Sequence, residues 1–175
     1  MMDFFYNLTL WLRSTPLADF ALKMSEWPLT NWVVTHFWVI PILQITHILA
    51  IAVAFGAVLM VNARILGLNG EGRSEAQTTN RYMPWMWWGL AVIIASGIGM
   101  LFGDTVRNLL NAIYWTKMLL VVIAILVTIW FHKGILRDIR EDHDIGGMER
   151  SVAVLLIVLW VAIMFGGRWI AYAPT

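Results

Sequence analysis

Apolar positions in this chain gather into four long runs, at residues 38–61, 84–102, 114–131 and 151–169, and none of the runs carries a formal charge in its middle. A helix of about 20 apolar residues crosses a bilayer, so each run predicts a transmembrane helix. A helix satisfies its own backbone inside lipid, and no strand-length alternating pattern supports a barrel. The expected fold class is therefore all-α, an integral membrane four-helix bundle over residues 31–175. Residues 1–30 precede it as a separate segment. There Phe4, Phe5, Leu8, Trp11 and Leu12 follow a helical spacing with Asn7 and Arg13 off the stripe. That segment is too short to span and predicts an amphipathic helix lying at the membrane interface, broken by Pro16 and Pro28. Pro41 is a candidate kink at the entry to the first span.

The polar breaks between the runs predict short connections. Leu66–Met83 carries Asn69, Gly70, Glu71 and Gly72, His132–Arg150 carries Asp142, Asp144 and Gly146–Gly147, and Phe102–Asn111 reads as a small turn. Lys and Arg favour the first two loops, through Arg64, Arg73, Arg81, Lys133, Arg137, Arg140 and Arg150. The other side holds Arg13, Lys23, Arg107, Lys117 and Arg168. This bias predicts cytoplasmic loops and periplasmic N- and C-termini in a bacterial inner membrane. Tryptophans mark the interfaces, with Trp85, Trp87 and Trp88 inside and Trp27, Trp32, Trp115 and Trp169 outside. The first residues, aromatic and carrying Asp3, do not read as a cleavable signal.

Composition sharpens this picture. The chain of 175 residues is 60% hydrophobic and 13% charged, against about 25% charged in an average soluble domain, so the lipid bilayer is its first partner. A net charge of +1 gives no field for a nucleic-acid partner. The absence of cysteine excludes disulfides, thiolate catalysis and iron–sulfur clusters. No phosphate-binding glycine loop, nucleophile elbow or paired-carboxylate site is visible. Asp138, Glu141, Asp142 and Asp144 read as a solvated charge run, and His143 as a solvated loop histidine.

Depth in a helix follows from its rise of about 1.5 Å per residue. His47 and Gln44 from Arg64, Met100 from Arg81, Lys117 from Arg137 and Arg168 from Arg150 are all separated by about 17 to 20 residues. These five side chains thus share one level in the outer part of the bilayer, with Asp104 and Tyr114 just above. His47 is a titratable group inside an apolar run, and such residues face a bundle interior. Ala50, Ala54 and Ala57 form a small-residue stripe below it, and Gly89, Ser96, Met100 and Gly103 form a matching face on the second span.

Three readings of His47 stand side by side: a neutral histidine bonded across helices, a haem or metal ligand, and a proton-relay or quinone contact. Gln44 reads first as an interhelical hydrogen bond. Lys117 and Arg168 either snorkel to headgroups or bind an anionic group above His47, such as haem propionates, a carboxylated substrate or a phospholipid headgroup. The ten methionines read as gap-fillers, although Met100 with His47 suits copper. His132 differs from His47 in depth by roughly 18 Å, and His36 lies roughly 16 Å further out on a continuous helix. A bis-histidine haem within one protomer is disfavoured. A second ligand at His47 would be Met100, Met164, Gln44, water, nothing, or a histidine of another chain in a homo-oligomer.

The stretch Gln44-Ile-Thr-His47 with Gly56, the exit Arg64-Ile-Leu-Gly67, Trp115-Thr-Lys117-Met118, Phe131-His132 and the closing Gly167-Arg168-Trp-Ile-Ala-Tyr172 span nearly the whole chain. In these the chain resembles an uncharacterised family of small bacterial four-helix inner-membrane proteins, which implies the four-helix layout and no activity. More distantly it looks like four-helix b-type cytochromes and copper-resistance-type membrane domains. It departs from the cytochromes in lacking two histidine pairs at matched depths.

Two functional expectations follow. One is a membrane subunit with a haem b, copper or quinone site at His47, Gln44, Met100, Lys117 and Arg168, serving redox chemistry. The other is a non-enzymatic anchor or accessory subunit without cofactor, docking a periplasmic or membrane protein through Phe4, Phe5, Trp11, Trp27 and Trp32. A small transporter ranks last, since no inverted repeat, broken-helix pair or ring of membrane charge is present.

Overall fold

A computed structural model describes residues 2–68, 74–140 and 146–169, which form eight helices and, among the described residues, no strand. The helices are α1 (Met2–Arg13), α2 (Leu17–Ser25), α3 (Pro28–Thr35), α4 (Val39–Ile65), α5 (Glu75–Gly103), α6 (Thr105–Leu109), α7 (Ala112–Arg140) and α8 (Gly147–Trp169). Four stretches are long and apolar enough to cross a membrane: Val39–Ile65, Glu75–Gly103, Ala112–Gly134 and Gly147–Arg168. Each matches one of the four apolar runs of the sequence to within a residue of that run's ends or contains it whole. The expected loop features Asn69, Gly70, Glu71, Gly72 and Arg73, and Glu141, Asp142, His143 and Asp144, lie outside the described residues, as does Tyr172.

The pattern of exposure on the long helices is that of chains solvated by lipid. Large apolar side chains such as Ile45, Ile48, Leu49, Ile94, Leu119, Leu126 and Val158 face outward, whereas Ala50, Ala54, Ala57, Ala124 and Ala153 are buried. In water the hydrophobic effect would drive the large residues inward. Without that force, helices associate through close packing of small residues. The chain is a multi-pass membrane protein.

Helix boundaries differ from the hydropathy runs because capping sets them. α5 starts at Glu75, well before Pro84, where a polar loop was expected. Ser74 and Gln77 form a reciprocal capping box: the Ser74 N–H donates to Gln77 Oε1 and the Gln77 N–H to Ser74 Oγ, both at 3.2 Å. Pro84 then sits inside the helix, removing one backbone bond. Replacing Ser74 with alanine is expected to cost about 1 kcal/mol, read as a lower thermal midpoint in detergent. α4 ends at Gly67, whose φ of 75° closes a Schellman motif with Leu68 N–H to Ala63 O at 2.9 Å and Gly67 N–H to Arg64 O at 3.0 Å. α7 runs on to Arg140, so half of the expected second loop is helix. The small turn at 102–111 contains α6. Pro41 lies in the first turn of α4, where no intrahelical donor is required.

The N-terminal segment holds three helices, divided near Pro16 and Pro28 where the sequence placed its breaks. Ser14 and Thr15 hydroxyls donate to the carbonyls of Trp11 (2.7 Å) and Leu12 (2.6 Å) where α1 ends before Pro16, and Pro28 opens α3 at its favoured first position. The expected stripe on α1 divides: Phe5, Leu8 and Leu12 are half-buried, while Phe4 and Trp11 are exposed.

The described chain falls into two compact units. The first comprises Met1–Leu49, Val92–Leu119 and Met164–Thr175, the second Ala50–Ala91 and Leu120–Ile163. In the first unit Ala21 and Met24 of α2 form a core with Leu109 and Leu110. The α1 residue Thr9 accepts a bond from the Ala112 N–H at 3.3 Å, and Asn111 caps α7 by accepting from the Ile113 N–H at 2.8 Å. In the second unit the seam between α4 and α5 is tight. A Cβ on Gly89 would lie 2.9 Å from Ala54 Cβ and 3.1 Å from the Ala50 carbonyl. An ion pair joins Arg64 to Glu75 at 3.0 Å.

Candidate functional site

All five side chains placed at one level by the sequence lie in the first unit, but they do not all face one another. Leu43 and His47 sit on the inward side of α4, half-buried, while Gln44 is exposed. Successive residues are turned by about 100° around a helix, and the face defined by Leu43 and His47 leaves Gln44 outside. Arg168 is exposed in the last turn of α8, and Met100 is half-buried on α5.

His47 meets α5 through a residue that was placed on the right face but given no role. Its Nδ1 lies 2.8 Å from Ser96 Oγ. The Ser96 hydroxyl is already committed as donor to the Val92 carbonyl at 2.6 Å. A hydroxyl has one proton, so Ser96 accepts from His47, and the imidazole carries its hydrogen on Nδ1. Nε2 is then left with its lone pair outward from this anchor. Fixing one ring nitrogen as a donor so that the other can serve as a ligand is the usual support of a metal-bound histidine. The ring lies over Gly97: a Cβ there would stand 3.6 Å from His47 Cε1, in ordinary van der Waals contact. Above this level the α4–α5 seam closes, since side chains at Gly99 and Gly103 would run into Leu43 and Ile40.

Lys117 of α7 lies in the same unit as His47. Its side chain lies across two glycines of α8, with Nζ 3.3 Å and Cε 3.5 Å from the position of a Gly167 Cβ. Among the described residues no carboxylate pairs with this lysine. The site thus offers one oriented imidazole lone pair and one ammonium without an acidic partner. Gly167 was quoted only as part of a motif, and the use of Gly166 and Gly167 as a bed for Lys117 depends on α7–α8 packing.

His36 would share a face with His47 only on a continuous helix, and the chain breaks between α3 and α4. It caps α3 in an extended conformation at φ −97°, ψ 96°. Its Nδ1 donates to the Trp32 carbonyl at 2.7 Å, and its ring stacks on Trp32 with centroids 4.8 Å apart. Its surroundings are those of an interfacial aromatic cluster. Among the described residues no group of three or more acidic or histidine side chains gathers as a metal site.

The Ser96 bond yields an expected outcome. With alanine at 96, the Nδ1 proton of His47 loses its acceptor, and if Nε2 is a haem ligand, the affinity for haem titrated into purified protein should drop by about 10- to 100-fold. Ser96→Thr keeps the hydroxyl and should retain most of the affinity.

A family model described as "Family of unknown function (DUF6644)" matches residues 36–173. No curated protein and no solved structure matches the chain.

Proposed function

Because the chain belongs to this family of unknown function, DUF6644, its chemistry has to be read from the site, and we propose that it is a membrane-embedded cofactor-binding subunit whose His47 Nε2 ligates a haem b. The observation that carries this reading is the 2.8 Å bond from His47 Nδ1–H to a Ser96 hydroxyl that is itself engaged. A haem brings four nitrogen ligands of its own, so a single imidazole completes a site. A copper ion would draw on several protein ligands, and besides His47 the chain offers Met100 and Met164, with Gln44 exposed. A quinone has no anionic arm for Lys117, whereas a propionate has one. The four long helices would form a bundle in the inner membrane, with this site toward the periplasmic side. The distant likeness to b-type cytochromes agrees with a redox role, through one haem rather than two.

Extraction of detergent-purified protein decides between the three cofactors. Haem b in the extract at about one per chain is expected. Copper or quinone at that stoichiometry, without haem, overturns the assignment and keeps the site.

A second reading is favoured by a separate observation. Phe4, Trp11, Trp27, Trp32 and Phe37 are all exposed large aromatics of the N-terminal region, Phe37 at 89%. That surface suits a lipid interface or a docked membrane partner. Co-purification of a stoichiometric partner that is lost when Trp11 and Trp32 become serine would support an accessory role.

A further inference from the structure

The second unit contains a group of polar atoms that neither reading uses. Asn62 and Thr79 are 2% and 1% exposed. Asn62 Nδ2 donates to the Val58 carbonyl at 2.9 Å, which leaves Oδ1 with no donor among the described residues. Thr78, Thr105 and Thr128 turn their hydroxyls back to the carbonyl four residues earlier. Thr79 does not, and its buried Oγ1 has no partner. The buried Nδ1 of His132 on α7 has none either.

Counted along their helices, these three residues fall at matching positions within the unit. Asn62 and His132 each lie twelve residues past the point where α4 and α7 enter the unit, at Ala50 and Leu120, and Thr79 lies twelve residues before α5 leaves it at Ala91. The contact of Gly89 with Ala54 gives the same register for α4 and α5. The Arg64–Glu75 ion pair stands at this end of the unit. An unsatisfied polar atom between membrane helices is costly, and three from three helices at matching positions point to a shared partner that is not protein.

We infer that the Arg64–Glu75 end of the second unit is a hydrated polar site, in which Asn62, Thr79 and His132 hold water between α4, α5 and α7. The donor set fits water: Asn62 Oδ1 accepts, Thr79 donates or accepts, and His132 Nδ1 does either according to its tautomer. A buried water makes about three hydrogen bonds of this kind. Such a site brings exchangeable protons to His132. It is independent of the His47 site and stands whether or not a cofactor binds there.

Hydroxyl radicals generated by X-ray exposure in the purified full-length protein test it. Met83 lies one turn beyond Thr79 on α5 and is buried, and Met86, also buried on α5, serves as the control. Met83 is expected to oxidise several-fold faster than Met86, to fall to the Met86 rate in Thr79→Val, and to keep its rate in Thr79→Ser. Thr79→Val, equal in shape but without the hydroxyl, should also lower the thermal midpoint, because water loses a partner. Equal oxidation of Met83 and Met86 in the native protein would overturn the inference. A higher midpoint for Thr79→Val would do so as well, since it would mean the hydroxyl is buried dry.

Discussion

His47→Ala protein is expected to fold, to insert and to purify without cofactor. Removing the ring takes away the donor to Ser96 but leaves no orphaned group behind, because the Ser96 hydroxyl keeps its bond to the Val92 carbonyl. Loss of the ligating atom should therefore exceed the roughly 10- to 100-fold penalty of losing a supporting partner, with little effect on the thermal midpoint of the cofactor-free protein. Added imidazole should restore part of the binding by occupying the space the side chain left. Retained cofactor in this variant would move the ligand elsewhere.

Gly89→Val is expected to be the most damaging single change in the second unit. A Cβ at this position already stands at 2.9 Å from Ala54 Cβ and 3.0 Å from the Ala54 nitrogen, and backbone cannot move aside as a flexible side chain can. Valine adds two methyls in the same direction, so α4 and α5 must separate along their seam. Overpacking of this kind costs about 1–3 kcal/mol, and more where both helices are constrained. Thermal unfolding in detergent should show it as a large fall in midpoint. Gly56→Ala and Gly134→Ala meet nothing within 4 Å and should be neutral or slightly stabilising. Ala54→Gly combined with Gly89→Ala should recover part of the loss relative to Gly89→Ala alone.

The small-residue seam was legible in the sequence because its logic is local. Alanines at helical spacing on one span and glycines on the next permit close approach, and Gly89 does meet Ala50 and Ala54. The inward direction of His47 was legible for the same reason. Gln44 was not, since a residue three positions away shares the face only if the contact seam passes between the two. Here the seam passes through Leu43 and His47. Helix ends were hidden from hydropathy, which registers lipid-facing length and not hydrogen bonding. The start of α5 at Glu75 lay in the pair Ser74 and Gln77, a capping signal written in polar residues. The approach of Lys117 to Gly167, and the burial of Asn62 and Thr79, depend on packing between helices and left no periodic trace.

The optical spectrum of the protein purified in mild detergent bears most directly on the site at His47. If His47 is the only protein ligand of a bound haem, the protein would show a Soret band that shifts when the reduced protein is exposed to carbon monoxide. A colourless protein with no extractable haem and no bound metal would contradict the account.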